Sequence, residues 1–344
     1  MPPPLTASPA LRWLAAACRQ DGAPLGAPPL AWADLISLAC RHRVQSLLHA
    51  GLTARGVAVP DALTADAQAI AADNLRAAVE YGRLHRTFVD AGLPLLFVKG
   101  LPLSQLAYGR ATLKLSRDID LLVRPADVVA AGRLLLDLDY HPQDGVTLAR
   151  LAAWHRHSKE SGWLHPTGLL VELHSRLTDS PRLLPGLGAD RPGPSVPIAP
   201  GIAVPTLPSE ALLAYLAVHG ASSAWFRLKW LADFHALLGD RDPAALHAAM
   251  RDAGAGRAAG LALLLCQAVY DLPLSQTLNP DRATRWLAAE ALRQLDHPSE
   301  PTARRGGTLG IHLSQLLIGE SWSFPLTEGV RRTREILFRR LSPG

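Results

Sequence analysis

The run Ser116-Arg117-Asp118-Ile119-Asp120-Leu121-Leu122-Val123 carries two acids at a spacing that can do chemistry. It reads as a strand, where side chains alternate between faces. Asp118 and Asp120 then point one way while Ile119 and Leu121 point into a core. Two carboxylates about 7 Å apart along the backbone can converge on a divalent cation. Mg²⁺ (or Mn²⁺) suits them, because it takes one or two carboxylates together with phosphate and water. Buried acids without a cation would repel each other at low dielectric. Further on, Val171-Glu172-Leu173 repeats the apolar–acid–apolar pattern. Glu172 is a candidate third carboxylate, holding metal or taking a proton from an incoming hydroxyl; the alternative is a cross-strand partner for an arginine. His174 is expected on the face of Glu172, where it either orients that carboxylate or satisfies a core hydrogen bond.

Upstream, Lys99-Gly100 stands between the apolar run Pro94–Val98 and a short helical stretch, Leu103–Tyr108, with Pro102 tolerated in a first helical turn. Glycine lets a phosphate approach the backbone, and a helix N-terminus offers unpaired N–H groups and a favourable dipole. Lysine is scarce: of 35 basic residues only Lys99, Lys114, Lys159 and Lys229 are lysines. In a chain that writes arginine wherever either cation serves, a retained lysine hints at a need for a compact, flexible ammonium. Lys99 is therefore expected at a phosphate, against the alternative of a solvent-exposed strand end.

The order strand–glycine–helix, then Asp-x-Asp on a strand, then an acid on a later strand resembles the polymerase-β-type nucleotidyltransferase superfamily. More narrowly, FVKGLPLSQLAYG, SRDIDLLV and VELHSRL are similar to an uncharacterised group of nucleotidyltransferase family proteins and to the abortive-infection toxin nucleotidyltransferases. In the Lys114-Leu115-Ser116-Arg117-Asp118 run, Lys114 stands where the toxins have arginine. The resemblance extends over most of the chain, from Arg41-His42-Arg43-Val44 to His219 and Arg227-Leu228-Lys229-Trp230-Leu231-Ala232-Asp233. It implies Asp118 and Asp120 as metal ligands, Glu172 as the third acid, and Lys99, Gly100, Lys114 and Ser116 near the nucleotide phosphates. Arg117 alternates away from Asp118 and suits a distant salt bridge as well as a nucleotide contact. Gly100-Leu101 departs from the superfamily's Gly-Gly or Gly-Ser pair, which removes a possible hydroxyl ligand but leaves the backbone N–H groups. The implied activity is metal-dependent transfer of a nucleoside monophosphate from an NTP, with ATP favoured, to an acceptor that is a protein, an RNA, or a small molecule or peptide. The alternative is a non-catalytic nucleotide-binding or toxin–antitoxin-type regulatory module.

Positioning these residues calls for an α+β fold: a small mixed-sheet nucleotidyltransferase core, residues 93–180, flanked by helical regions at 1–92 and 209–344. Apolar residues at helical spacing mark Leu30–Leu52 and Thr64–Ala91, and Gly92-Leu93-Pro94 ends the second stretch. The core reads as strands at Pro94–Val98 and Asp118–Val123, a helix at Ala126–Leu138, and a hairpin of Gly162–Leu164 and Leu169–His174. Trp154, His155 and His157 lie on the approach to that hairpin and are candidates for a lid. The Pro/Gly-rich residues 181–208 read as a linker or long loop. Helices are expected again over Ser209–His219, Trp225–Leu238, Pro243–Ala253, Ala258–Tyr270 and Ala283–Leu295. Lys229 and Asp233, four apart, make either a simple ion pair or a substrate contact.

Composition narrows the classes. Apolar residues at 48% and charged residues at 19% argue for a packed globular chain against disorder. Cys18, Cys40 and Cys266 are too dispersed for a zinc site or a disulfide framework, which suggests a reducing compartment. No basic-then-apolar leader and no apolar run of about 18 residues is found, so the expected location is the cytoplasm, with no membrane partner. The net charge of +5 sits partly in Arg331, Arg332, Arg334, Arg339 and Arg340, which read as a solvated amphipathic helix; nucleic acid is a possible but unsupported partner. No HExxH, P-loop or dinucleotide fingerprint occurs.

Overall fold

The computed structural model describes residues 5–143, 145–275 and 278–341. In chain order it begins with helices α1 (Pro9–Ala17), α2 (Trp32–His42), α3 (Gln45–Ala54) and α4 (Asp61–Asp90). Strand β1 (Leu95–Phe97), α5 (Gly100–Tyr108), β2 (Asp118–Val123), α6 (Val128–Asp137), β3 (His141–Pro142) and α7 (Leu148–His157) follow. Next come β4 (Glu160–Leu164), β5 (Leu170–His174), β6 (Ser195–Ala199) and β7 (Ile202–Pro205). The chain ends in helices α8 (Ser209–Ser222), α9 (Leu228–Leu238), α10 (Pro243–Asp252), α11 (Gly256–Tyr270), α12 (Arg282–Asp296), α13 (Leu309–Leu317) and α14 (Phe324–Leu341). No helix among the described residues is long and apolar enough to cross a membrane. The fold is α+β.

Two compact units divide the chain: Met1–Ala71 with Leu213–Phe324, and Ala72–Leu212 with Pro325–Gly344. The second holds the five-stranded sheet, ordered β1-β2-β5-β4-β3. Only β2 and β5 run parallel, and the other neighbours are antiparallel. A parallel pair needs a crossover, and here β2 returns to β5 through α6, α7 and the β4 hairpin. Ile119, Leu121, Val171 and Leu173 enter one core with Tyr81, Leu84 and Phe88 of α4, Leu135 of α6 and Leu151 of α7. The apolar positions that alternate with Asp118, Asp120 and Glu172 are thus the ones that anchor the sheet, as the strand pattern required.

Two sequence expectations need correction. Residues 181–208 are not simply a linker or loop: they contain the antiparallel β6–β7 hairpin. Val196, Ile198 and Val204 turn into the core, while Pro197 takes an exposed position between them, where a proline disturbs a short strand least. Thr206 Oγ1 donates to the Phe97 carbonyl at 2.6 Å and ties the hairpin to the end of β1. Residues 154–157 do not form a lid over the site. They belong to α7, where His155 is buried between Ser161 and Ser175 and the Trp154 indole donates to the Glu160 carbonyl.

Candidate active site

The Lys99-Gly100 turn is fixed by packing as well as by sequence. Lys99 is the extended N-cap of α5, and its side chain makes no capping hydrogen bond. Gly100 has φ +66°, the left-handed region that side chains avoid. A Cβ there would stand 2.1 Å from Tyr81 Oη and 3.1 Å from Ser116 Oγ. Tyr81 cannot yield, because it is fully buried and stacked on Phe97 at 4.8 Å. Only glycine fits.

Asp120 lies at the centre. The β2–β5 register sets Asp120 opposite Glu172 and Leu122 opposite His174, while β4 sets Glu160 opposite His174. Period-2 alternation puts Asp120, Glu172, His174 and Glu160 on one face of three adjacent strands. The Asp120 side chain is wholly buried; its Oδ1 accepts from Lys99 Nζ at 2.7 Å and from His174 Nε2 at 3.1 Å. Its Oδ2 is buried with no hydrogen-bond partner among the described residues. His174 Nε2 is also 3.5 Å from Glu172 Oε2, and its Nδ1 is 3.3 Å from Glu160 Oε2. One ligand atom each from Asp120, Glu172 and His174 lies within 4.8 Å of the others, so this cluster can hold a metal ion.

The charges balance one another. Burial alone would raise the pKa of Asp120, but the Lys99 ammonium and the His174 hydrogen bond hold it well below the usual carboxylate range. For His174, burial opposes the charged ring, yet Glu160 and the hydrogen bonds to Asp120 and Glu172 raise its pKa above the ordinary value. Glu160 is likewise opposed by burial and pulled down to about 2, by Lys159 first and His174 next.

Lys99, Asp120, Glu172 and His174 are therefore brought together. Asp118 lies on the same face at the half-buried start of β2, opposite Leu170, and is outside the three-residue cluster. Ser116 is close to Gly100, and its hydroxyl donates to the Asp118 carbonyl at 3.1 Å. Lys114 is buried; its N–H donates to Ser104 Oγ, and its carbonyl accepts from Asn74 Nδ2. Arg117 is exposed. Lys229 and Asp233 belong to the other compact unit, on α9, with Asp233 buried. Sequence reasoning missed Lys159 and Glu160, which form an ion pair beside His174. The signal available was that Lys159 is one of only four lysines.

A glycine turn thus opens a helix beside acids that face each other on parallel strands. A family model described as "uncharacterised nucleotidyltransferase" matches residues 28–271, and the chain belongs to that family. The match spans the described elements from α2 to α11, β1 to β7 among them. No curated protein matches the chain significantly. The protein is a nucleotidyltransferase, and membership of the family implies an NTP substrate.

Proposed function

We propose that this enzyme transfers a nucleoside monophosphate from an NTP, with ATP the first to test, to a nucleophile on a second substrate, using Mg²⁺ or Mn²⁺ held by Asp118, Asp120 and Glu172. The observation that carries the reading is Asp120: a fully buried carboxylate with one oxygen lacking any hydrogen-bond partner among the described residues, facing Glu172 across a parallel strand pair. A buried oxygen left without a partner is costly, and a cation is the ligand that offsets the cost. The donor set is oxygen-rich, which suits a hard divalent ion.

When bound, the cation would offset charge on the α-phosphate and the departing pyrophosphate. The chain's own groups do the rest. Lys99 keeps Asp120 ionised and stands at the turn that opens α5, a helix N-terminus that favours phosphate oxygens. His174 binds Asp120 and Glu172 through one nitrogen and holds the two acids in register. Glu172 is the more exposed acid of the pair, with its side chain 26% accessible, which supports a role in taking the acceptor's proton. The acceptor oxygen then bonds to the α-phosphorus as the bond to the bridging oxygen breaks and pyrophosphate leaves.

Calorimetry of ATP with MgCl₂ and with EDTA tests the assignment. ATP should bind much more tightly with metal, since bare acids repel a triphosphate. Equal affinity under both conditions would contradict it.

A further inference from the structure

A cavity of about 710 Å³ opens in the sheet unit between the end of α7, the exit of β5 and α14. Its size falls within the range of small-molecule sites. Its polar lining is strongly cationic: Arg156 comes from α7, Arg176 follows β5, and Arg331 and Arg334 come from α14. Arg331 is engaged by Glu328 and Glu335. Arg156, Arg176 and Arg334 form no ion pair among the described residues, and Asp179 is the single acid in the lining. Arg176 donates from Nη1 to the His155 carbonyl at 2.7 Å, while its Nε is buried without a partner.

The rest of the lining is apolar. Leu326 and Val330, one turn apart on α14, remain 67% and 55% exposed. Beside the pocket the His157 ring is stacked on Phe338 at 4.3 Å, which fixes α14 against α7. Guanidinium forks on one side match the planar or tetrahedral oxygens of a carboxylate or phosphate. The leucine and valine match a hydrocarbon body.

We propose that this pocket binds an amphipathic oxyanion, a phosphate or carboxylate carrying an apolar chain, at a site separate from that of the NTP. The basic run of α14 is then a binding element and not only a solvated face.

The test is calorimetry on the full chain with n-octyl phosphate below its micellar concentration, n-octyl glucoside and inorganic phosphate. Octanoate in place of octyl phosphate separates the two head groups. At least one of the two octyl anions should bind at least about 10-fold more tightly than either octyl glucoside or inorganic phosphate, because only the anions satisfy both sides of the pocket. Arg156→Glu with Arg334→Glu, both exposed positions, should reduce that affinity by about 10-fold or more. Leu326→Asp should weaken it as well, with melting curves confirming that each variant is folded. Saturating ATP with MgCl₂ should leave the anion bound. Equal binding of octyl glucoside, full affinity in the double variant, or displacement by ATP would each overturn the proposal.

Discussion

Lys99 Nζ lies 2.7 Å from Asp120 Oδ1, which joins the glycine turn after β1 to the acid in the middle of β2. The lysine is 15% accessible and the aspartate is not accessible at all, so a nearly buried cation faces a buried anion. The pair links the N-terminus of α5 to the carboxylate face of the sheet. A charge so placed belongs to the fold as well as to the chemistry.

Removing that charge should therefore cost stability and activity together. Lys99→Met leaves Asp120 with His174 alone, and the expected loss is roughly 3–5 kcal/mol, the scale of a broken buried pair. Lys99→Arg keeps the charge but replaces a pivoting ammonium with a planar fork, and kcat/KM should fall by an equivalent of roughly 1–3 kcal/mol. Melting curves and steady-state kinetics read the two effects. Wild-type values in both variants would show that lysine at 99 is incidental.

The three acids should not be equivalent. Asp120 and Glu172 share the cluster with His174, whereas Asp118 stands outside it. Asp120→Asn should weaken Mn²⁺ binding most, with Asp118→Asn weaker in effect, while each lowers turnover on the order of 10³-fold. Electron paramagnetic resonance of free Mn²⁺ measures the affinities directly. The reverse order would place the metal at the start of β2.

Much of this site was legible because strands write their faces in alternation. Asp118–Val123 formed at the boundaries read from sequence, and the apolar positions between its acids did enter the core. Gly100 was legible as a turn, but the reason for glycine, the Tyr81 hydroxyl pressed against it, comes from a distant helix. Glu160 was missed because the first strand of the hairpin was read from Gly162, two residues after β4 begins, and only the register with β5 sets Glu160 opposite His174. The β6–β7 hairpin was hidden by Pro197 and the surrounding glycines, whose turn signal outweighed the Val196/Ile198 alternation.

Gly100→Ala should destabilise the protein through two separable causes. The positive φ costs about 1–2 kcal/mol for an alanine, and the contact with Tyr81 Oη adds to it. In a Tyr81→Phe background the nearest ring atom is the carbon at 3.4 Å, an ordinary contact, so the clash with Tyr81 disappears and the backbone cost remains together with the 3.1 Å approach to Ser116 Oγ. Denaturant melts of the double-mutant cycle check this. Additivity of the two substitutions would mean that the tyrosine hydroxyl does not press on the turn.

His155 makes stability depend on pH. Burial first, then the charges of His174 and Arg176, lower its pKa from the ordinary 6.5 to about 4. Between those values the unfolded chain binds the proton and the folded chain does not, so stability rises with pH through this window. The full contribution is present above pH 6.5 and is lost toward pH 4, up to about 3 kcal/mol. Urea melts across that range should show the slope, and His155→Gln should flatten it. An unchanged slope in the variant would assign the effect to other groups.

The central claim is transfer of the nucleoside monophosphate at the Asp120–Glu172 face. It is tested most directly by incubating the enzyme with MgCl₂, a deproteinised cell extract, and ATP labelled at either the α- or the γ-phosphate. The account predicts that α-label moves into an acceptor, γ-label appears only in pyrophosphate, and Asp120→Asn abolishes both while remaining folded. Transfer of γ-label to an acceptor, release of γ-label as inorganic phosphate, or undiminished transfer by Asp120→Asn would contradict it.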